Sequence, residues 1–219
     1  KLAEAIKIYN KTISIKPDYI DAQYNLGITL QEQGELNKAI EAYERVIAIK
    51  PDYIGAFNNM GIALKKLDKF KEAVEVYKRA IAIKPGYAEA YNNMGNALRE
   101  QGKLAEANEA FNKAISINPD YADAYYNIGI TLQEQGKMDE AIEAFNKAIS
   151  IQPDYADAYL NLGNALSRQS MFQEAISTYS KALSIKPNFA EVYYNMGNAL
   201  KSVIFRKPDR DLQKIITII

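Results

Sequence analysis

Apolar positions along the chain recur at helical spacing, in two alternating blocks. Ala124, Ile128, Thr131 and Leu132 stand at i, i+4, i+7 and i+8, one face of an amphipathic helix. Met138, Ala141, Ile142, Phe145, Ala148 and Ile149 form a second such face. Gly136, between the two, predicts a helix stop and a tight turn. Pro153 ends the second block, because proline lacks the amide hydrogen and its ring clashes with the preceding turn. Asp154 then predicts a cap for the next helix, and Asp157 places a carboxylate near that helix's positive end. The same arrangement recurs as Asp18 with Asp21 and as Asp120 with Asp123.

The whole pattern repeats every 34 residues. Pro17, Pro51, Pro85, Pro119, Pro153 and Pro187 keep that spacing without a slip. The stretch Tyr91-Asn92-Asn93-Met94-Gly95-Asn96-Ala97-Leu98 returns one period earlier as Phe57-Asn58-Asn59-Met60-Gly61 and one period later as Tyr125-Tyr126-Asn127-Ile128-Gly129. A fixed period of this size predicts a stacked array of units, each a helix, a turn, a second helix and a short loop. Gly27, Gly61, Gly95, Gly129, Gly163 and Gly197 fall inside the first helix, where glycine costs about 1 kcal/mol against alanine. Its recurrence predicts close backbone approach, with Ala39, Ala73, Ala107, Ala141 and Ala175 as the small partners. Tyr43, Tyr77, Phe111, Phe145 and Tyr179 are expected to fill the space between helices. Tyr53, Tyr87, Tyr121, Tyr155 and Phe189 are expected to seal the junctions between units.

An aromatic residue, then Leu-Gly, Leu, Ala, Phe or Tyr, and finally Pro resembles the tetratricopeptide repeat. Here it reads Tyr159, Leu162-Gly163, Leu166, Ala175, Tyr179 and Pro187. The resemblance covers residues 1–202 and implies an all-α, right-handed α-solenoid, a superhelix of antiparallel helix pairs. Residues 1–19 read as the second helix of a truncated repeat. Residues 20–189 hold five complete repeats, at 20–53, 54–87, 88–121, 122–155 and 156–189. Residues 190–202 supply one further first helix. Residues 203–219 depart from the pattern, with Asp209 and Gln213 where alanine and the aromatic belong and Pro208 interrupting. They are expected to form a diverged helix that packs on the last repeat, with more protein beyond it. The chain also opens inside a repeat, so it is expected to be a fragment of something longer.

Composition narrows the chemistry. Among 219 residues there is no His and no Cys, which removes the common zinc ligands and the usual nucleophile–base pairs. The acidic residues interleave with lysine at helical spacing, as in Lys137, Glu140, Glu143 and Lys147, a solvated face rather than a catalytic pair. No catalytic residue, metal ligand or cofactor is therefore expected. A formal net charge of zero speaks against nucleic acid, as does the Gly–Ala–Pro signature against RNA-binding helical repeats of similar period. No apolar run approaches the roughly 20 residues of a membrane span, so no membrane partner is expected. Absence of cysteine accords with a cytoplasmic location.

One stripe of each first helix is not needed for the core: the second, fifth, sixth, ninth, twelfth and thirteenth residues of the repeat share a helix face. In a right-handed stack it lines the concave surface. The sixth position is Asn25, Asn59, Asn93, Asn127, Asn161 and Asn195 without exception. Asparagine is an indifferent helix former, and its amide offers a donor and an acceptor together, suited to the backbone of an extended peptide. The second position carries Asp21, Glu89, Asp123, Asp157 and Glu191, with Gly55 breaking the series. The fifth includes Tyr24, Tyr126 and Tyr194, and the ninth includes Asn96, Asn164 and Asn198. Two structural readings stand beside this one. Asparagine at the sixth position is common across tetratricopeptide repeats, and the acidic series also serves helix termini.

Two comparisons within the family bear on the partner. Tetratricopeptide domains that clamp a C-terminal carboxylate use Lys and Arg on this stripe, and the second, fifth and sixth positions here have neither. The tetratricopeptide arm of O-GlcNAc transferase is similar. It carries an Asn and Asp ladder for extended peptide, which Asn93, Asn127, Asn161, Asp123 and Asp157 match. The expected function is a protein-interaction scaffold that binds peptide in a concave groove. The alternative is self-association, as a homo-oligomer, through the terminal helices at Lys1–Lys16 and Ile215–Ile219.

Overall fold

A computed structural model describes residues 1–206 of the chain. Among these, α1 (Leu2–Ile15) is followed by the pairs α2 (Ile20–Glu32) and α3 (Leu36–Ile49), α4 (Ile54–Lys66) and α5 (Phe70–Ile83), and α6 (Ala88–Glu100) and α7 (Leu104–Ile117). Then come α8 (Ala122–Glu134) with α9 (Met138–Ile151), α10 (Ala156–Arg168) with α11 (Phe172–Ile185), and α12 (Ala190–Arg206). No strand occurs among the described residues. The helices form two compact units, Lys1–Pro119 with α1 to α7, and a second from Asp120 onward. Within each unit every helix packs against the next, and alternate first helices also touch: α2 with α4, α4 with α6, α8 with α10, and α10 with α12. Each unit is thus a stack of antiparallel helix pairs, the solenoid architecture.

The pair turns are made by a single residue in the left-handed region. Gly34, Gly102 and Gly136 take φ of 86°, 74° and 77°, while Asp68 (57°) and Ser170 (67°) do the same with a side chain. Position 204, next in that series, is isoleucine, a β-branched residue that resists positive φ. Here α12 runs on to Arg206, past the expected end at 202. The diverged helix expected over 203–219 and the apolar Ile215–Ile219 end lie, from residue 207 on, outside the described residues.

Two expectations about packing need correction. The aspartates after the loop prolines do not cap. The N-cap of α2 is Tyr19 and that of α10 is Tyr155, neither with a side-chain cap hydrogen bond. Asp18 and Asp154 stand one residue too early, because each helix starts only after the aromatic that follows. Asp21, Asp123 and Asp157 do fall in the first turn, where the helix dipole favours a negative charge.

The partner of each in-helix glycine is a ring rather than an alanine. A Cβ on Gly27, Gly61, Gly95, Gly129 or Gly163 would lie 2.4–2.5 Å from a ring carbon of Tyr43, Tyr77, Phe111, Phe145 or Tyr179, respectively. These rings are buried, and so are the alanines four residues before them. Flat aromatic faces need the space that a missing methyl provides, which outweighs the helix-propensity cost. Gly197 is the exception, with nothing within 4 Å among the described residues.

Candidate functional site

The sixth-position asparagines are the most regular polar feature of the first helices, and within each unit they bond backward to the preceding repeat. In the first unit, Asn59 Nδ2 donates to Tyr24 Oη at 2.9 Å, and Asn93 Nδ2 to Asn58 Oδ1 at 3.0 Å. In the second, Asn161 Nδ2 donates to Tyr126 Oη at 2.9 Å, and Asn195 Nδ2 to Asn164 Oδ1 at 2.9 Å. The acceptor therefore comes from the fifth or ninth position one repeat earlier. These asparagines are not spare to the fold, as the stripe pattern alone had implied. Their donor half staples neighbouring repeats, and each bond stabilises by about 1 kcal/mol.

The acceptors are themselves held in place. Tyr24 lies 5.0 Å from the Tyr53 ring and 6.0 Å from that of Tyr43, centroid to centroid. Tyr126 repeats this with Tyr155 at 4.9 Å and Phe145 at 6.0 Å. Burial, then the nearby Tyr53, pushes the Tyr24 phenol above its ordinary range, so it stays protonated. Asn58 and Asn92 are buried at the fifth position. Asn58 Nδ2 donates to Glu89 Oε1 at 2.8 Å, and the Tyr87 hydroxyl donates to Glu89 Oε2 at 3.2 Å. In the second unit the Tyr155 hydroxyl donates to Asp123 Oδ1 at 2.9 Å. Burial foremost, and then this bond to a carboxylate, drive the Tyr155 phenol well above the tyrosine range.

The remaining candidates scatter between surface and core. Asn25, Asp21, Asp157 and Asn198 are exposed, Tyr194 strongly so, and Asn96 is half-buried. Asn127 is buried in α8. Asn164 Oδ1 accepts a second bond, from the Tyr179 hydroxyl at 2.8 Å.

The twelfth position adds a feature that the stripe contained but to which the residue pattern assigned no chemistry. Gln31 accepts a bond from the Tyr43 hydroxyl at 3.3 Å. The equivalent Lys65 is half-buried and supplies no acceptor for the buried Tyr77 hydroxyl, which has no hydrogen-bond partner. Burial foremost, then the positive Arg99 in the next repeat, lowers the Lys65 pKa. Arg99 itself pairs with Glu100 at 3.0 Å. The sequence signal was weak, since the same position is Gln31, Gln133 and Ser167 but also Arg99 and Lys201, and its weight comes from burial. Among the described residues no group of three or more His, Cys, Asp or Glu side chains converges on a metal-sized site, and no helix is long and apolar enough to cross a membrane.

Stacked helix pairs with a polar, hydrogen-bonded face on the first helices define a helical-repeat scaffold. The family profile described as "TPR repeat" matches residues 1–34, 29–68, 64–99 and 95–136, and the one described as "Tetratricopeptide repeat" matches 120–188. The chain belongs to the tetratricopeptide-repeat family, whose members are protein-interaction scaffolds. Among solved structures it is similar to MamA, at 31% identity and TM-score 0.67, over 76% of this chain and 97% of that one. It shares its fold with TTC0263, a thermophilic TPR protein of Thermus thermophilus, at 23% identity, TM-score 0.67, and 83% and 98% coverage. It also shares it with YrrB, a TPR protein described as having an unusual peptide-binding site, at 20% identity, TM-score 0.62, and 85% and 96% coverage. No curated protein sequence matches the chain.

Proposed function

We propose that the chain binds extended peptide segments of partner proteins along the face of its first helices, as the recognition arm of a longer protein. The observation that carries this reading is the orientation of the asparagine amides. With one Nδ2–H committed between repeats, Asn93 and Asn161 each keep Oδ1 as an acceptor. Exposed Asp21, Glu89, Asp123 and Asp157 add carboxylates one turn away. A series of acceptors at repeat spacing suits the backbone N–H groups of an extended peptide, whatever its side chains. Of the donor-and-acceptor pairing expected from sequence, one N–H is taken up between repeats and the acceptor carries the reading.

The test is selection from a random-peptide display library, followed by affinity measurements on the selected peptides. Changing Asn93, Asn127 and Asn161 together to Ala is expected to weaken binding at least about tenfold, about 1.4 kcal/mol, with helicity retained. Changing the same three to Asp keeps an acceptor while losing the staple, and is expected to retain most of the affinity. Unchanged affinity in the triple-alanine variant sinks the ladder.

Self-association is the second reading, favoured by exposed Ile8 and Ile15 on α1 and exposed Tyr193 and Leu200 on α12. Light scattering over a wide concentration range separates the two, since a strict monomer counts against it.

A further inference from the structure

The fourth position of the repeat is aromatic in Phe57, Tyr91, Tyr125, Tyr159 and Tyr193, but in the first complete repeat it is Gln23. Where the ring is present, a cation from the second helix of the same repeat can lie over it. Arg79 sits 4.8 Å from the Phe57 centroid, and Lys147 sits 5.8 Å from that of Tyr125. The residue equivalent to both cations is Arg45, and it faces no ring at position 23.

An open hollow of about 360 Å³ lies beside Gln23, lined by Ile13, Pro17, Gln23, Arg45, Ala48 and Ile49, of which Pro17, Arg45, Ala48 and Ile49 are exposed at its rim. Gln23 is almost wholly buried, at 3% exposure. Its Nε2 donates to the Pro17 carbonyl at 3.3 Å, which fixes the amide's orientation. The other end, Oε1, is buried without a hydrogen-bond partner. A buried acceptor left unmade carries a desolvation penalty that an incoming donor removes. The site therefore combines apolar walls, a guanidinium in the register of Arg79 and Lys147, and one acceptor in need of an O–H or N–H.

We propose that this cavity, on the second-helix side of the first unit, is a docking pocket for a tyrosine side chain of a partner polypeptide, which supplies in trans the ring that this repeat lacks. The phenol ring packs between Ile13, Pro17, Ala48 and Ile49, with Arg45 over its face. Gln23 Oε1, shielded from solvent in the free chain, is uncovered as the ring enters and accepts from the phenol hydroxyl, giving a buried tyrosine the partner it needs. The pocket is separate from the asparagine face, so it stands whether or not that face binds peptide.

Methyl NMR of the chain labelled at Ile and Ala tests this, with N-acetyl-L-tyrosinamide as the probe. Saturable shifts confined to Ile13, Ala48 and Ile49 are expected at millimolar ligand. N-acetyl-L-phenylalaninamide, which lacks the donor, is expected to bind about tenfold more weakly. Gln23→Tyr fills the cavity from within using the residue found at four equivalent positions, and is expected to abolish the shifts and raise the melting temperature. Gln23→Met removes the acceptor without adding a ring, and is expected to erase the preference for tyrosinamide over phenylalaninamide. Three results overturn the proposal: no shifts at these methyls, undiminished binding in Gln23→Tyr, or binding of p-cresol with exclusion of tyrosinamide. The last marks a pocket for free phenols that admits no polypeptide backbone.

Discussion

Adding one methyl group at Gly129 is expected to destabilise the array, although the same change at Gly197 is expected to help it. Both glycines occupy the same repeat position inside a first helix, α8 and α12 respectively. Replacing an in-helix glycine by alanine gains about 1 kcal/mol of helix propensity. At Gly197 nothing among the described residues lies within 4 Å of the new Cβ, so α12 keeps that gain. At Gly129 the Cβ would stand 2.5 Å from Phe145 Cε1, 2.6 Å from Cδ1 and 2.9 Å from Cζ. Phe145 is fully buried and cannot swing into solvent, so relief requires α8 and α9 to part. Overpacking of this kind costs about 1–3 kcal/mol, and a Cβ that meets three ring carbons at once belongs at the upper end. The net expectation is a loss of about 1–2 kcal/mol at Gly129→Ala.

Repeat arrays do not unfold as one two-state unit, so the assay is native-state hydrogen exchange resolved to α8 and α9. Faster exchange there in Gly129→Ala, rescued by adding Phe145→Leu, supports the ring-on-glycine contact. Protection in Gly129→Ala equal to or above wild type would refute the steric reasoning.

Two further expectations follow from the polar contacts. Tyr126→Phe keeps the ring stack on Tyr155 but leaves Asn161 Nδ2 without its acceptor, and should cost about 1 kcal/mol, read as a lower denaturant midpoint; an unchanged midpoint means the staple contributes nothing. At alkaline pH the buried phenols act together. Burial foremost, then Glu191, raises the Tyr179 pKa from 10.0 to about 12, so the unfolded chain ionises first. The stability that Tyr179 contributes is present below pH 10 and lost as pH rises toward about 12. Parallel spectrophotometric titration and circular dichroism should show phenolate formation tracking helix loss, and Tyr179→Phe should flatten that part of the curve. A titration that finishes before helicity falls contradicts the burial.

Much of the fold was legible in the sequence because its signals are local and multiplied. Helical spacing, the prolines and the turn glycines each act within a few residues of themselves, and the repeat presents them again and again. The expected partners of those glycines were less legible. A glycine every 34 residues announces close approach without saying what approaches, and an alanine or a ring on α9 satisfies the pattern equally. The caps failed for a related reason, since Asp154 has the right chemistry one residue too early and α10 begins only after Tyr155.

The candidate site divides along the same line. Invariant asparagine at the sixth position, the carboxylates before it and the lack of catalytic residue types are properties of the sequence alone. What an amide is bonded to is not, because Asn59 and Tyr24, or Asn161 and Tyr126, are 35 residues apart and meet only when one helix pair stacks on the next. Stacking also turned Lys65 from one lysine among many into a half-buried cation, and Gln23 from a substitution in a pattern into the wall of a cavity. Periodicity by itself determined that this chain is a tetratricopeptide array. Only the packed structure decided which polar groups the array consumes and which it leaves to meet a partner, because hydrogen bonding and desolvation depend on neighbours that chain order does not name.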